Sequence, residues 1–110
     1  MTHEKFTRGM LKQAKVPHWR DVNGKDIDAV RVRIKLFDLG SGWCWYIAGA
    51  DELTGTCFGF ESRGPHGGAI SYFQLKDLNA YQGKQGVSIK RSDTWNPQTS
   101  LADVIEERVR

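Results

Sequence analysis

The segment 30–47 carries the clearest pattern of hydrophobic and polar positions in the chain. Along its first half, hydrophobic and basic residues alternate: Val30, Val32, Ile34 and Leu36 against Arg31, Arg33 and Lys35. A period of two residues predicts a half-buried β-strand, with the hydrophobic set on one face and the basic set on the other. The flexible stretch 38–42 and a second aromatic strand follow, so the segment predicts a β-hairpin.

The spacing of hydrophobic residues elsewhere predicts further strands and helices. The strands are expected at 29–37, 43–48, 56–61, 69–74 and 87–91, and the helices at about 4–15, 75–82 and 100–108. Residues 18–28 are expected to form a turn region, and Gly83 and Ser100 to cap helices. We therefore expect a single α+β domain over 1–110. In it an antiparallel four- to five-stranded meander, mainly at about 29–74, packs with two to three short helices.

Charge is distributed unevenly along the chain. The net charge is +3, but residues 1–35 hold nine Lys/Arg against four Asp/Glu, whereas residues 36–110 hold seven against nine. The N-terminal third is therefore a candidate surface for an anionic partner. The alternative is a solvated basic helix followed by one half-exposed strand.

Cysteine use and hydropathy indicate where the protein works. Cys44 and Cys57 are the two cysteines and form no CxxC pair, which favours free thiols in a reducing compartment. Residues 1–13 lack the apolar region of a signal peptide, and no apolar run approaches transmembrane length. We expect a soluble, intracellular protein with no membrane partner.

The predicted hairpin is the place where cations and aromatic rings coincide. With a loop at 38–42, Phe37 pairs with Trp43, and one face then holds Arg31, Arg33, Lys35, Phe37, Trp43, Trp45 and Ile47. Such a face suits base stacking and phosphate contacts, or an acidic protein patch. The alternative is that helices cover it and the basic side chains pack along the tryptophans. The candidate binding residues are Arg31, Arg33, Lys35, Trp43, Trp45 and Arg91.

The chain offers no recognisable catalytic or metal-binding motif. The potential metal ligands Cys44, Cys57, His18 and His66 match no zinc spacing. No nucleophile elbow is present, the acidic pairs at 51–52 and 106–107 suit a turn and a helix end, and the glycines at 64–68 suit a hairpin turn. We expect no catalytic residues, no metal and no cofactor.

A series of short motifs resembles a known family. The series is Lys35-Leu36-Phe37, Trp43-x-Trp45-Tyr46, Phe58-Gly59-Phe60, Tyr72-Phe73-x-Leu75-x-x-Leu78, Gly86-Val87-x-Ile89-x-Arg91 and Trp95-x-Pro97. In this order and spacing it resembles the bacterial domain-of-unknown-function family 2958, over roughly residues 30–105. Family members tend to carry Glu-Leu-Gly at the positions of 69–71 and Arg-Asp at those of 91–92. This chain has Ala-Ile-Ser and Arg-Ser there, so a role of that glutamate or that aspartate is not expected here.

The resemblance implies a setting rather than a reaction. The family is typical of plasmids, integrative elements and phages, often beside counter-defence genes. It therefore implies a non-enzymatic binding protein that engages a host CRISPR or restriction complex, either a protein or a ribonucleoprotein. The alternative is an accessory protein that binds nucleic acid through the basic-aromatic sheet face.

Overall fold

The computed structural model describes residues 6–64, 67–81 and 89–108. The helices are α1 (Arg8–Gln13), α2 (Trp19–Val22), α3 (Leu75–Ala80) and α4 (Leu101–Arg108). The strands are β1 (Ile34–Phe37), β2 (Cys44–Asp51), β3 (Thr56–Ser62), β4 (Gly68–Gln74) and β5 (Lys90–Arg91).

The strands form an antiparallel sheet in the order β4-β3-β2-β1-β5. The first four follow one another as a meander, and β5 returns to pair with β1 after α3. Helices pack on both faces of the sheet, so the predicted α+β class is confirmed.

The hairpin register differs from the prediction by one residue. Phe37 pairs with Cys44 instead of Trp43, and Leu36 pairs with Trp45. The cause lies in the loop, where Asp38 is buried and its carboxylate accepts a hydrogen bond from Ser41 Oγ at 2.7 Å. A one-residue shift moves every side chain of one strand to the opposite face relative to its partner. The predicted common face of the hairpin is therefore wrong.

The first predicted strand is divided between two partners. Val32 N donates to Thr99 O, and Leu101 N donates to Val30 O, so residues 30–32 pair with the segment before α4. Strand β1 begins only at Ile34 and pairs with β2 and β5. The alternation correctly identifies the buried positions, but it wrongly places all of them on one side.

Two cores result, one on each face of the sheet. The first core lies under α1 and α3 and consists of Phe6, Met10, Leu11, Val16, Ile34, Leu36, Trp45, Ile47, Ala50, Cys57, Phe73, Leu75, Leu78 and Ile89. The second core lies under α2 and α4 and consists of Val22, Val30, Val32, Cys44, Tyr46, Ala48, Phe58, Phe60, Leu101 and Val104. Each face therefore buries its own apolar surface, which is the main stabilising contribution.

Helix α2 falls in the region expected to be a turn. It packs on β2 at Gly49, where a Cβ would lie 2.6 Å from Val22 Cγ2 and 2.9 Å from Trp19 Cα. The chain before it is fixed by Ala50 N, which donates to Pro17 O. The missing side chain of Gly49 is therefore what allows the helix backbone to approach the sheet.

The other element bounds also differ from the predictions. Helix α1 spans only Arg8–Gln13, and the described part of the fifth strand is Lys90–Arg91. The predicted N-cap of the last helix is confirmed, because Ser100 Oγ accepts from Asp103 N at 3.1 Å. The predicted C-cap Gly83 lies outside the described residues.

Candidate anion-binding pocket

The six predicted binding residues separate into different environments. Trp45 is 3% exposed in the first core, and its Nε1 donates to Glu61 Oε2 at 3.1 Å. Trp43 is half-buried and packs between Tyr81 and Arg63, whose Cζ lies 5.6 Å from the ring centroid. Both tryptophans therefore have structural contacts on the face opposite to that of Lys35.

Lys35 lies on the other face of the sheet, and Arg31 lies in the segment before β1. The Lys35 Nζ lies 5.7 Å from the ring centroid of Tyr46 and 5.8 Å from that of Trp95. Arg31 is half-buried, and its guanidinium donates to Asp28 O at 3.1 Å. Lys35 thus follows the alternative in which a basic side chain packs along aromatic rings.

Arg33 and Arg91 do come together, in a pocket of about 620 Å³ at the β5 edge of the sheet. Three separate parts of the chain form its wall: the end of α1, the start of β1, and β5 with the loop that follows. The lining residues are Gln13, Ala14, Lys15, Arg33, Ile34, Arg91, Ser92, Asp93, Trp95 and Pro97. Ser92 N donates to Lys35 O at 2.9 Å, which extends the β1–β5 pairing and fixes this loop.

The electrostatic balance of this pocket is positive. Among the described residues that line it, Lys15, Arg33 and Arg91 stand against the single carboxylate of Asp93. The Nε of Arg33 is buried and has no hydrogen-bond partner among the described residues. The guanidinium groups of Arg33 and Arg91 offer paired N–H donors of the kind that bind a carboxylate or phosphate.

Trp95 gives the pocket an aromatic wall. Its Nε1 donates to Val32 O at 2.8 Å, which anchors the half-buried indole to the segment before β1. The ring also packs against Tyr46 in the second core, at a centroid distance of 5.6 Å. The pocket therefore combines cations with a fixed π surface, an arrangement suited to anions that carry a planar group.

Lys15 holds an unusual backbone conformation at the rim. Its φ is +55°, and it is the one residue other than glycine with a positive φ in the described part of the chain. It ends α1 in a Schellman motif, in which Val16 N donates to Leu11 O and Lys15 N donates to Lys12 O. Glycine is the usual residue at this position, so a lysine there sacrifices stability. Such strain is often found at functional sites.

Replacing Lys15 with glycine is expected to stabilise the fold while removing a pocket cation. We expect Lys15→Gly to raise the free energy of unfolding by up to about 1 kcal/mol, because the left-handed conformation no longer strains a Cβ. The matched control Lys12→Gly lies inside α1 and should lose about 1 kcal/mol. Urea unfolding of both variants checks this, and a loss of stability in Lys15→Gly would contradict it.

Sequence reasoning missed Lys15, Asp93 and Trp95 as members of a site. Lys15 precedes Val16-Pro17, which predicts a helix end but not a left-handed lysine. In the sequence, Trp95 stands out only as part of the motif Trp95-x-Pro97. The pocket joins segments far apart in the sequence, and no local pattern signals that.

The described cysteine and histidine side chains, which could take part in catalysis or bind a metal, are buried or make structural contacts. Burial raises the pKa of the Cys57 thiol to about 12, so it stays protonated near neutral pH. Cys44 and Cys57 lie in different cores on opposite faces of the sheet. His18 Nδ1 caps α2 by accepting from Arg20 N. His66 lies outside the described residues.

Comparisons with known proteins leave the fold and this pocket as the basis for a functional assignment. No protein-family model, curated protein or solved structure matches the chain. Within the described residues, no helix is both long and apolar enough to cross a membrane, and no three His, Cys, Asp or Glu side chains are grouped as metal ligands would be.

Proposed function

We propose that this protein is a non-enzymatic binding protein of a phage or mobile element, which acts in counter-defence in the cytoplasm of a bacterial host. It binds a host CRISPR or restriction complex and occupies a surface that the complex needs. The observation that supports this most is the pocket in which Lys15, Arg33 and Arg91 face one carboxylate. The resemblance of residues 30–105 to family 2958 supplies the biological setting.

The chemistry of the pocket suits an anionic surface of such a complex. Acidic side chains and nucleic-acid phosphates both accept the paired N–H groups of arginine. Arg33 lines the pocket, and Arg91 is exposed on the outer strand β5, where a large partner can reach it. Complementary charge also speeds the encounter with an anionic partner and contributes to specificity.

The non-enzymatic part of the proposal rests on how potential catalytic groups are used. The Cys57 thiol is protonated in the first core, and the His18 imidazole caps a helix. Asp38, the buried carboxylate, holds the hairpin loop through Ser41 and Tyr81. These groups contribute to structure, and none of them lines the cationic pocket.

A second candidate function is direct binding of single-stranded nucleic acid through the same pocket. The Trp95 ring beside Arg33 and Arg91 favours it, because bases stack on aromatic rings while phosphates pair with guanidinium groups. The predicted basic-aromatic sheet face is replaced by this pocket at the sheet edge. Lys35, on which the predicted face partly relied, contacts the same indole.

Neutralising the two pocket arginines is expected to weaken binding to either kind of partner. In Arg33→Gln/Arg91→Gln we expect a loss of about tenfold for each lost charge-assisted contact. If the ligand is a single-stranded nucleic acid, the slope of log affinity against log salt should fall by about 1.4. The matched control Lys25→Gln/Lys76→Gln removes two exposed cations outside the pocket and should keep near wild-type affinity.

The test combines affinity purification from host lysate, with and without nuclease treatment, and plasmid interference in cells. Nuclease-resistant recovery of a defence component by wild type and the control, together with reduced interference, supports counter-defence. The second candidate is supported if nuclease treatment abolishes recovery of the defence component and if the protein retards a single-stranded oligonucleotide in a gel-shift assay at low salt. Unchanged interference and no retained defence component or nucleic acid would refute both.

A further inference from the structure

Strand β4 is the outer strand of the sheet at the edge opposite to the pocket, and no described strand lies beyond it. Its sequence, Gly68–Gln74, contains no charged residue and no proline. Four of its residues are exposed: Gly68, Ala69, Ile70 and Tyr72. Proteins usually protect an outer strand with lysine, proline or a covering segment, and the described structure uses none of these here.

The pairing with β3 determines which backbone groups of β4 are free. Arg63 N donates to Gly67 O before the strand, and Leu75 N donates to Gly55 O after it. In an antiparallel ladder, hydrogen-bonded pairs alternate with non-hydrogen-bonded pairs. Both ends therefore indicate that Ala69, Ser71 and Phe73 bond to β3. The N–H and C=O groups of Ile70 and Tyr72 point away from the sheet.

The side chains of β4 differ in exposure between the two faces of the sheet. Ile70 and Tyr72 lie on the face of the second core and remain 44% and 48% exposed. Ser71 lies on the other face, where its Oγ is buried without a hydrogen-bond partner among the described residues. The outward backbone groups of β4 thus have no described strand to pair with, and Ile70 and Tyr72 keep exposed surface, although the Tyr72 ring packs on Phe58 and its hydroxyl accepts from Asn23 Nδ2 at 2.8 Å.

We propose that β4 pairs with β4 of a second copy of this chain, antiparallel about a two-fold axis at Ser71. Ile70 then lies opposite Tyr72 of the partner, and the two residues exchange both backbone hydrogen bonds. Ser71 lies opposite the partner's Ser71 in a non-hydrogen-bonded pair, so the two-fold axis passes through the middle residue of the strand Gly68–Gln74. This register therefore pairs the outward backbone groups of β4 and covers exposed surface of Ile70 and Tyr72.

A second copy fits this edge because the strand is complementary to itself. About Ser71, an aliphatic side chain meets an aromatic one on each side, which is a favourable cross-strand pair. Each chain carries a net charge of +3, but the uncharged strand brings no like charges together at the junction. A single isologous contact of this kind closes as a dimer.

This dimer goes beyond the proposed function and leaves the pocket accessible. The pocket lies at the β5 edge, so a sheet continued through β4 carries one pocket at each outer end. Such a dimer binds a repetitive or two-fold symmetric anionic partner with two contacts at once. Its own test needs no ligand and is independent of whether the proposed function holds.

The first test is the mass of the purified full chain by sedimentation velocity over a wide concentration range. We expect a species with twice the 12.5 kDa chain mass, and its fraction should rise with protein concentration. Hydrogen exchange gives the second readout. The amides of Ile70 and Tyr72 should gain protection as the dimer forms, whereas those of Ala69, Ser71 and Phe73 should be protected throughout.

Charge variants at the two-fold axis test the register. Ser71→Lys and Ser71→Glu each place like charges directly opposite and should be monomeric, whereas an equal mixture of the two should form a heterodimer. The matched control Leu53→Lys adds the same charge at a turn residue that is 82% exposed, and it should remain dimeric. Ile70→Pro removes an outward N–H and should be monomeric with its fold retained.

The outcomes separate clearly. A wild-type chain that is monomeric at every concentration overturns the proposal. So does a dimer that persists in folded Ile70→Pro, because the contact then lies elsewhere. Failure of the folded charge variants to recombine overturns the register at Ser71. If Leu53→Lys also loses the dimer, the added charge alone explains the monomeric Ser71 variants, and the proposal is again overturned.

Discussion

Gly59→Ala is expected to be among the most destabilising single substitutions in this chain, with a loss of about 3 kcal/mol in the free energy of unfolding. Gly59 is buried in β3 opposite Ile47. A Cβ at this position would overlap the carbonyl oxygen of Tyr46 and lie 3.2 Å from Ala48 N. These are backbone atoms of the central strand β2, so the clash cannot be relieved by a side-chain rotation.

The reason for this close approach is a bulge in β2. The register with β3 shifts between Ile47 and Gly49, which leaves Ala48 without a partner and bends the strand toward Gly59. The same bulge turns Gly49 toward α2, so one irregularity both requires a glycine in β3 and positions a helix. An alanine at Gly59 would straighten the bulge or separate the strands.

Gly9→Ala is the matched control and should have the opposite sign. Gly9 is exposed in the first turn of α1, and its added Cβ would meet only Thr7 Oγ1 at 3.6 Å, an ordinary contact. Replacing glycine by alanine in a helix gains up to about 1 kcal/mol. Urea unfolding of both variants gives the two values, and a Gly59→Ala variant as stable as wild type would refute the account of the bulge.

The fold class was predictable because burial leaves a periodic trace in the sequence. Residues that alternate in 30–37 are indeed alternately buried and partly exposed. Periodicity reports burial but not the side on which burial occurs, so Val32 and Ile34 could not be assigned to separate cores. That assignment depends on pairing with residues 99–101, which are distant in the sequence.

The candidate site was predictable only in part, for a related reason. Arg33 and Arg91 were both among the predicted binding residues, and the fold brings them into one pocket. Trp43 and Trp45 do not join them, because Trp45 is buried in the first core and Trp43 packs against Tyr81 and Arg63. The sequence shows Asp38 in a flexible stretch, where an aspartate is ordinarily an exposed turn residue.

That carboxylate is the subject of the second large effect, since Asp38→Ala is expected to cost about 3 kcal/mol. Asp38 is 1% exposed. Its Oδ2 accepts from Ser41 Oγ at 2.7 Å and from Tyr81 Oη at 2.8 Å, and its Oδ1 accepts from Gly40 N at 3.3 Å. Truncation leaves these donors without their acceptor and releases the contact between the loop and the residue that follows α3.

The exposed turn residue Asp26 is the matched control for Asp38. Its Oδ1 accepts from Asp28 N at 3.0 Å, and we expect Asp26→Ala to cost less than about 1 kcal/mol. Chemical unfolding at neutral pH compares the two variants directly. Equal and small losses would show that the Asp38 carboxylate does not hold the loop.

The pH dependence of Asp38→Asn gives an independent test with a definite sign. The hydrogen bond from Ser41, with those from Tyr81 and Gly40, lowers the pKa of Asp38 below its usual 3.8 in spite of its burial. A carboxyl group with a lower pKa in the folded state stabilises the fold above its unfolded pKa, and this stabilisation disappears as pH falls through the folded pKa. Wild type should therefore exceed Asp38→Asn in stability at neutral pH. The difference should shrink on acidification only below about pH 4.

The lowered pKa of Asp51 is common to both proteins and cancels in this comparison. A difference that stays constant into acid would mean that the ionised form of Asp38 gives no advantage to the loop, and the register would then need another cause.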